Sequence, residues 1–453
     1  MKKTRLILLS ALTALAMTSC SLFNDNDVNM NIENHFKSKE EASAPAQPKE
    51  TVNGVGSQEV KIDDNTNALL FKSMLYSNDE VDGVKKIKNT YTTANGFAFN
   101  INNGEDYVAN KTDNNFDLYI PEAESFDRTA PQTIVLFIHG GAWVSGLKTH
   151  VNPYVKEFVK RGFVSATIEY SLLSKAALTE DSMDEETLQK NRSLSIFRDL
   201  DEIDACISTM KTCLHDLGFS DDLNIVIGGV SSGAHLTMLY SYSRGTHCPL
   251  PIKFIVNAVG PTDIQENAWK AFNMGSEEEL NDALDDGIEY AKISSLEAGG
   301  KLKQLQVSGA EFDWNEYQTM RIANGMCGFA YTPDQISATT DDSANVKASA
   351  KSGELYQKLV SSYNSGEKLL SVTNYITSAN KIKMICAYAG MDTIIGIGQF
   401  ANLQHSLESN GYVKDTDYTY FYFKTAGHIN LDKEEEQTTY NAFINQIDTW
   451  LKA

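Results

Sequence analysis

Gly229-Val230-Ser231-Ser232-Gly233 sets a serine between two glycines, each two residues away. The motif closes an apolar, strand-like run, Asn224 to Gly229, and opens a helical one, Ser232 to Tyr242. In that context Ser231 belongs on a sharp strand-to-helix turn with its oxygen projecting, and the small residues around it let strand and helix approach closely. The helix N-terminus behind it adds positive potential for a developing anion. A serine held this way is suited to nucleophilic attack on a carbonyl carbon.

A second strand end carries a complementary part. His139-Gly140-Gly141-Ala142-Trp143 follows the apolar, β-branched run Thr133 to Ile138. Acyl transfer needs amide donors aimed at an oxyanion, and glycines let a backbone turn its N–H groups into a site. Gly140 and Gly141 are the candidate oxyanion donors on this side, and the Ser232 N–H is the candidate across from them. His139 is expected to brace that loop rather than react. His235, one turn past the serine, is expected to be structural.

These pieces need a frame. Phe116 to Pro121 reads as a strand closed by proline, and Phe163 to Tyr170, Lys253 to Val259, Lys383 to Tyr388 and Tyr418 to Phe423 read as further strands. Residues 193–216 carry Ile196, Leu200, Ile203, Ile207, Met210 and Leu214 at helical spacing, and residues 397–410 and 433–451 also read as helices. Strands alternating with helices predict an α/β fold, a mostly parallel central sheet with helices on both faces. Between Val259 and Lys383 lies far more chain than one crossover needs. Residues of about 264–370 are therefore expected to form an inserted cap over the C-terminal edge of the sheet, where α/β sites open. The alternative is a peripheral insertion without consequence for the site.

HGGAW, then GVSSGAH, then a strand ending in Ala389-Gly390-Met391-Asp392, then Gly427-His428, resemble in order the α/β-hydrolases of the hormone-sensitive-lipase-like and acetyl/feruloyl-esterase-like groups. FDLYIP before the HGGAW strand, Ala166 to Tyr170 after it, and Gly260-Pro261-Thr262-Asp263 add to the likeness, which spans roughly residues 90 to 452 apart from the insertion. The resemblance implies an α/β-hydrolase fold and a triad in the chain order Ser, Asp, His, with Ser231 as nucleophile, Asp392 as acid and His428 as base. HGGAW departs from the HGGG of the lipase group and resembles the esterase and formamidase branches instead. Ser171 stands where an arginine is frequent, and SSGA stands for SAGG. The expected activity is hydrolysis of carboxylic esters, either acetyl or aryl esters on a polysaccharide or short-chain esters, without a cofactor. The alternatives are an amidase, formamidase or peptidase on the same triad, and a non-catalytic binding relative.

The rest of the chain bounds these readings. Of 453 residues, 42% are hydrophobic and 22% charged, which is ordinary globular composition able to bury a core. The formal net charge of −21 argues against nucleic acid as a main partner, since a phosphate-binding surface must be basic. The acidity reads as solubility, or else as a surface suited to a cationic substrate. Lys2, Lys3 and Arg5, then an apolar stretch Leu6 to Met17, then Thr18-Ser19-Cys20, resemble a bacterial lipoprotein signal. That resemblance implies removal of residues 1–19 and lipid on Cys20, hence a protein anchored extracytoplasmically in the cell envelope and touching the membrane only through that lipid. Residues 20–65 are polar and aperiodic and are expected to be a flexible tether, with residues 66–453 forming the hydrolase domain. Beyond Cys20 the five cysteines are an odd number, and no Cys/His spacing suggests a metal site.

Overall fold

A computed structural model describes residues 48–76, 89–92, 98–101, 114–173, 196–263, 326–327, 369–392, 395, 397–428 and 430–453. The expected signal segment, Cys20 and the tether up to residue 47 lie outside the described residues, as does nearly all of the expected cap.

The strands in chain order are β1 Thr51–Val52, β2 Val55–Gly56, β3 Gln58–Lys61, β4 Asn67–Leu75, β5 Asn89–Thr92, β6 Ala98–Ile101, β7 Asn115–Pro121, β8 Gln132–Ile138, β9 Ser165–Glu169, β10 Leu223–Val230, β11 Ile252–Ala258, β12 Met384–Ala389 and β13 Tyr418–Phe423. Nine form one sheet in the order β13-β12-β11-β10-β8-β9-β7-β4-β3. From β13 to β9 every neighbouring pair is parallel. β7, β4 and β3 complete the other edge with antiparallel pairs. The chain runs from β8 to β9 on one side of β8, then crosses to β10 on the other. In a parallel sheet, that reversal of direction opens a crevice at the strands' C-terminal ends. The fold is the α/β-hydrolase fold.

Period-2 alternation along each parallel strand feeds two separate cores. Ile134, Leu136, Ile138, Ile225 and Ile227 face one layer, which contains the helices α2 Ile196–Asp216, α3 Ser232–Arg244 and α4 Ile397–Ser409. Val135, Phe137, Val226 and Val256 face the opposite layer, with α1 Asn152–Lys160 and α5 Gln437–Lys452. Strands buried on both faces are why these segments read as unbroken apolar runs. Each wholly buried Ile, Leu or Phe in them contributes about 1.5–3 kcal/mol.

The expected elements from Phe116 onward fall within a few residues of those observed. α1 was not anticipated from the sequence. Its signals are Pro153 in the first turn and Val155, Phe158 and Val159 at helical spacing. The tether boundary at residue 65 needs correction. Within residues 48–65, β1 and β2 pair with each other, and β3 adds an antiparallel edge strand to the main sheet through Val60↔Ala68 and its neighbours. Short strands with a mixed polar face leave little periodic signal, so composition alone read them as tether.

Asp263 and Ser371, the described residues flanking the insertion, meet in a hydrogen bond of 2.7 Å, and the Val372 N–H donates to the Thr262 carbonyl at 2.9 Å. The insertion therefore leaves and re-enters the fold at one place, beside the C-terminal ends of β11 and β12. Among the described residues no helix is long and apolar enough to cross a membrane. Cys206, Cys248 and Cys386 are free thiols.

Candidate active site

Four loops at the C-terminal ends of parallel strands supply the site. Ser231 directly follows β10, Gly140 and Gly141 follow β8, Asp392 follows β12, and His428 follows β13. Ser231 holds φ 56° and ψ −124°, a left-handed conformation rare for any residue but glycine. Such strain costs of order 1–3 kcal/mol and persists only where the surroundings enforce it. Here the Ser231 N–H donates to the Ala258 carbonyl on β11, while its carbonyl accepts from Ala234 and His235 in the first turn of α3. The flanking glycines have no alternative. A Cβ at Gly229 would lie 2.2 Å from the Gly233 carbonyl oxygen, and one at Gly233 would lie 2.2 Å from that of Ile138.

The structure brings the three sequence-assigned side chains into one line. His428 Nε2 lies 2.8 Å from Ser231 Oγ, and His428 Nδ1 lies 2.7 Å from Asp392 Oδ2. The other Asp392 oxygen accepts the Ile395 N–H at 2.8 Å, and the Asp392 side chain is wholly buried. A buried carboxylate with both oxygens occupied can accept only from a protonated Nδ1. It thereby fixes the tautomer that presents a basic Nε2 to the serine.

The HGGAW loop is folded against the same serine. A Cβ at Gly140 would fall 2.7 Å from the Val230 carbonyl oxygen and 2.9 Å from Ser231 Cβ, so the loop backbone touches the turn itself. Its carbonyls are engaged on its own side. The His139 carbonyl accepts from the Tyr170 hydroxyl at 3.1 Å, the Gly140 carbonyl faces His139 Nδ1 at 2.8 Å, and the Gly141 carbonyl accepts from Val144 N–H, Ser145 N–H and the Ser145 hydroxyl. A trans peptide points each N–H opposite the preceding carbonyl. The N–H groups of Gly140 and Gly141 are therefore turned away from His139 and Tyr170. Neither donates to an acceptor among the described residues, and nor does the Ser232 N–H at the start of α3. Gly141, Ala142 and Trp143 all take positive φ, at 126°, 53° and 62°.

Sequence reasoning missed the residues that hold these loops. Glu436, buried at the start of the last helix, accepts the Thr425 N–H at 2.5 Å and the Thr425 hydroxyl at 2.8 Å, and so grips the loop that carries His428. Glu169 Oε1 lies 3.3 Å from His139 Nε2, and its Oε2 accepts the Lys148 N–H at 3.0 Å. The Lys148 ammonium in turn is buried against Asp117 at 2.6 Å and Asn115. Among the described residues no group of three or more His, Cys, Asp or Glu side chains is placed to hold a metal ion.

A family model described as BD-FAE matches residues 116–187, the stretch that contains β7, β8, the HGGAW loop and β9. Two fungal proteins share weaker likeness. A non-reducing polyketide synthase of Penicillium rubens is 28% identical over 144 residues, 32% of this chain, and one of Aspergillus calidoustus is 27% identical over 158 residues, 35% of it. This chain spans only 5% and 6% of the length of those synthases. Similar solved structures include a thermophilic esterase of Thermogutta terrifontis (13% identity, 74% of this chain, 87% of that one, TM-score 0.41). They also include esterase B of Lactobacillus rhamnosis (12%, 83%, 92%, 0.44) and a truncated carbohydrate esterase from gut microbiota (13%, 81%, 97%, 0.42).

Proposed function

We propose that this chain is a serine hydrolase that cleaves carboxylic esters through an acyl-enzyme. The observation that carries the reading is the Ser231–His428–Asp392 line of hydrogen bonds at a strained strand-to-helix turn, with three backbone N–H groups beside it that no described residue claims. As Ser231 Oγ bonds to the acyl carbon, its proton passes to His428 Nε2. The carbonyl electron pair moves onto oxygen, where the Gly140, Gly141 and Ser232 N–H groups receive it. Asp392 stabilises the imidazolium that forms. The tetrahedral centre collapses, the C–O bond to the alcohol breaks, and His428 returns the proton to the departing oxygen. Water then repeats the sequence on the acyl-serine, releasing the acid and restoring Ser231.

The substrates proposed are acetyl or aryl esters of polysaccharides, or short-chain esters. A fluorophosphonate probe should label Ser231, and Ser231→Ala should lower kcat on p-nitrophenyl esters by roughly three orders of magnitude or more without unfolding the protein. Labelling at another serine, or none in folded protein, refutes the assignment. Turnover of anilides in preference to esters would replace the esterase by an amidase on the same residues.

A further inference from the structure

We infer that His235 is a positioning residue that ties the oxyanion loop, at Trp143, to the point where the inserted segment rejoins the fold, at Leu370. The inference rests on the ester-hydrolase reading above. His235 is wholly buried on α3, and its N–H donates to the Ser231 carbonyl at 3.0 Å, so it shares the first helical turn with the nucleophile. Its ring Nε2 lies 2.7 Å from the Leu370 carbonyl oxygen. A carbonyl only accepts, so Nε2 carries the hydrogen and Nδ1 is left with its lone pair. Burial pushes the ring's pKa down from its ordinary 6.5 to about 4, which keeps it in that neutral form. The tautomer, and with it the ring's orientation, is thus set by the peptide at the end of the insertion.

The other edge of the ring meets the oxyanion loop. The Trp143 indole stands edge-on to His235, with centroids 5.3 Å apart and planes at 87°. The His235 Nδ1 lone pair and the Trp143 Nε1–H, an acceptor and a donor on adjoining rings, are both buried and have no hydrogen-bond partner among the described residues. Ala142 and Trp143 hold left-handed backbone, which neighbours must enforce. The Leu173 N–H holds the Trp143 carbonyl at 2.8 Å, and the indole packs edge-on against the His235 ring. The residues beside Leu370 are joined in a hydrogen-bond cluster. Ser371 donates to Asp263, and Gln399 accepts from the Thr262 and Asp263 N–H groups while donating to the Asp263 carbonyl. A displacement of this re-entry point passes through one imidazole to the loop that carries Gly140 and Gly141. Packing alone does not require the ring nitrogens, and that separates a positioning role from a structural one.

His235→Phe keeps an aromatic ring and removes both nitrogens, whereas His235→Gln keeps an N–H within reach of Leu370. With p-nitrophenyl acetate, His235→Phe should lower kcat about 10- to 100-fold with KM within about threefold of wild type. Hydrogen exchange of residues 139–147 should quicken in the same variant. His235→Gln should recover most of both. A folded His235→Phe with wild-type kcat and wild-type exchange overturns the inference, and so does a His235→Gln no better than His235→Phe. If His235→Phe does not fold, His235→Asn, too short to reach Leu370, must show the kcat loss or the inference fails. A folded wild type that neither turns over the ester nor takes the fluorophosphonate label overturns the ester-hydrolase reading, and this inference with it.

Discussion

Gly140→Ala asks the oxyanion loop to give way where it has no room. The added Cβ would sit 2.7 Å from the Val230 carbonyl oxygen and 2.9 Å from Ser231 Cβ. Neither neighbour is the loose end of a side chain. Val230 is the last residue of β10, and Ser231 is held by its N–H bond to Ala258 at 2.9 Å. Ordinary contact begins near 3.4 Å, so the loop must retreat by about 0.7 Å from the nucleophile. That retreat moves the N–H groups of Gly140 and Gly141 off the place where the oxyanion forms. Losing one such donor outright costs about 100- to 1000-fold in kcat, and misplacing a donor by about 1 Å costs up to about 100-fold. The expected loss is therefore about 10- to 100-fold in kcat, or about 1.4–2.7 kcal/mol of transition-state stabilisation. Overpacking should also cost about 1–3 kcal/mol of stability. Steady-state turnover of p-nitrophenyl acetate measures the first quantity and thermal melting the second. Gly162→Ala is the control. At φ 86° with nothing within 4 Å, an alanine there meets strain but no clash, and its position just after α1 keeps it clear of the site. It should lose stability and keep kcat. A folded Gly140→Ala with unchanged kcat would refute the assignment of this loop as an oxyanion hole.

Burial alone would raise the Glu436 carboxyl, but the Thr425 N–H and hydroxyl and the Thr439 hydroxyl outweigh it and hold the group below its ordinary 4.5. A depressed carboxylate contributes stability that is present above its unfolded value and lost as pH falls through its folded value, so melting temperatures should drop on acidification from about pH 5 to about pH 3, and Glu436→Gln should flatten that drop. An identical acid profile in the variant would refute it. Replacing residues 264–368 by a short Gly/Ser linker should preserve fluorophosphonate labelling of Ser231, because Asp263 and Ser371 already lie 2.7 Å apart through their side chains, and should change the ranking of esters by chain length. An unchanged ranking would remove the insertion from substrate choice.

Much of the sheet was legible because β8, β9, β10, β11 and β12 are buried on both faces. A strand in that position is apolar at nearly every step, as β8, β10, β11 and β12 show without reference to any other segment, whereas β9 keeps Ser165, Thr167 and Glu169 on one face. β3 and β4 lie at the edge, take their register from each other and from β7, and mix exposed with buried residues. Their pairing is a property of distant partners, and no local period reports it. The same division separates α2, whose apolar stripe spans 21 residues, from α1, whose nine residues give little more than two turns.

The site divides in the same way. Ser231, Gly140 and Gly141 announce themselves because local backbone demands fix their types. A glycine is required where a Cβ would strike a carbonyl, and a helix N-terminus stands behind the serine. Asp392 and His428 were reachable only through the order of motifs, since an acid or a histidine after a strand is common and its partner lies 36 residues away in the chain. Glu436 and Glu169 left no signal, and His235 reads from sequence only as structural, because each acts through a backbone group that any residue could supply: the N–H of Thr425, the N–H of Lys148, the carbonyl of Leu370. A hydrogen bond to a main-chain atom constrains only one of its two ends in sequence. The chemistry of this site is thus written in residue types, whereas its precision comes from contacts between segments up to 197 residues apart. Substitutions at the holding residues should accordingly slow turnover while leaving Ser231 in place to react, whereas substitutions within Gly229-Val230-Ser231-Ser232-Gly233 should remove the reacting turn itself.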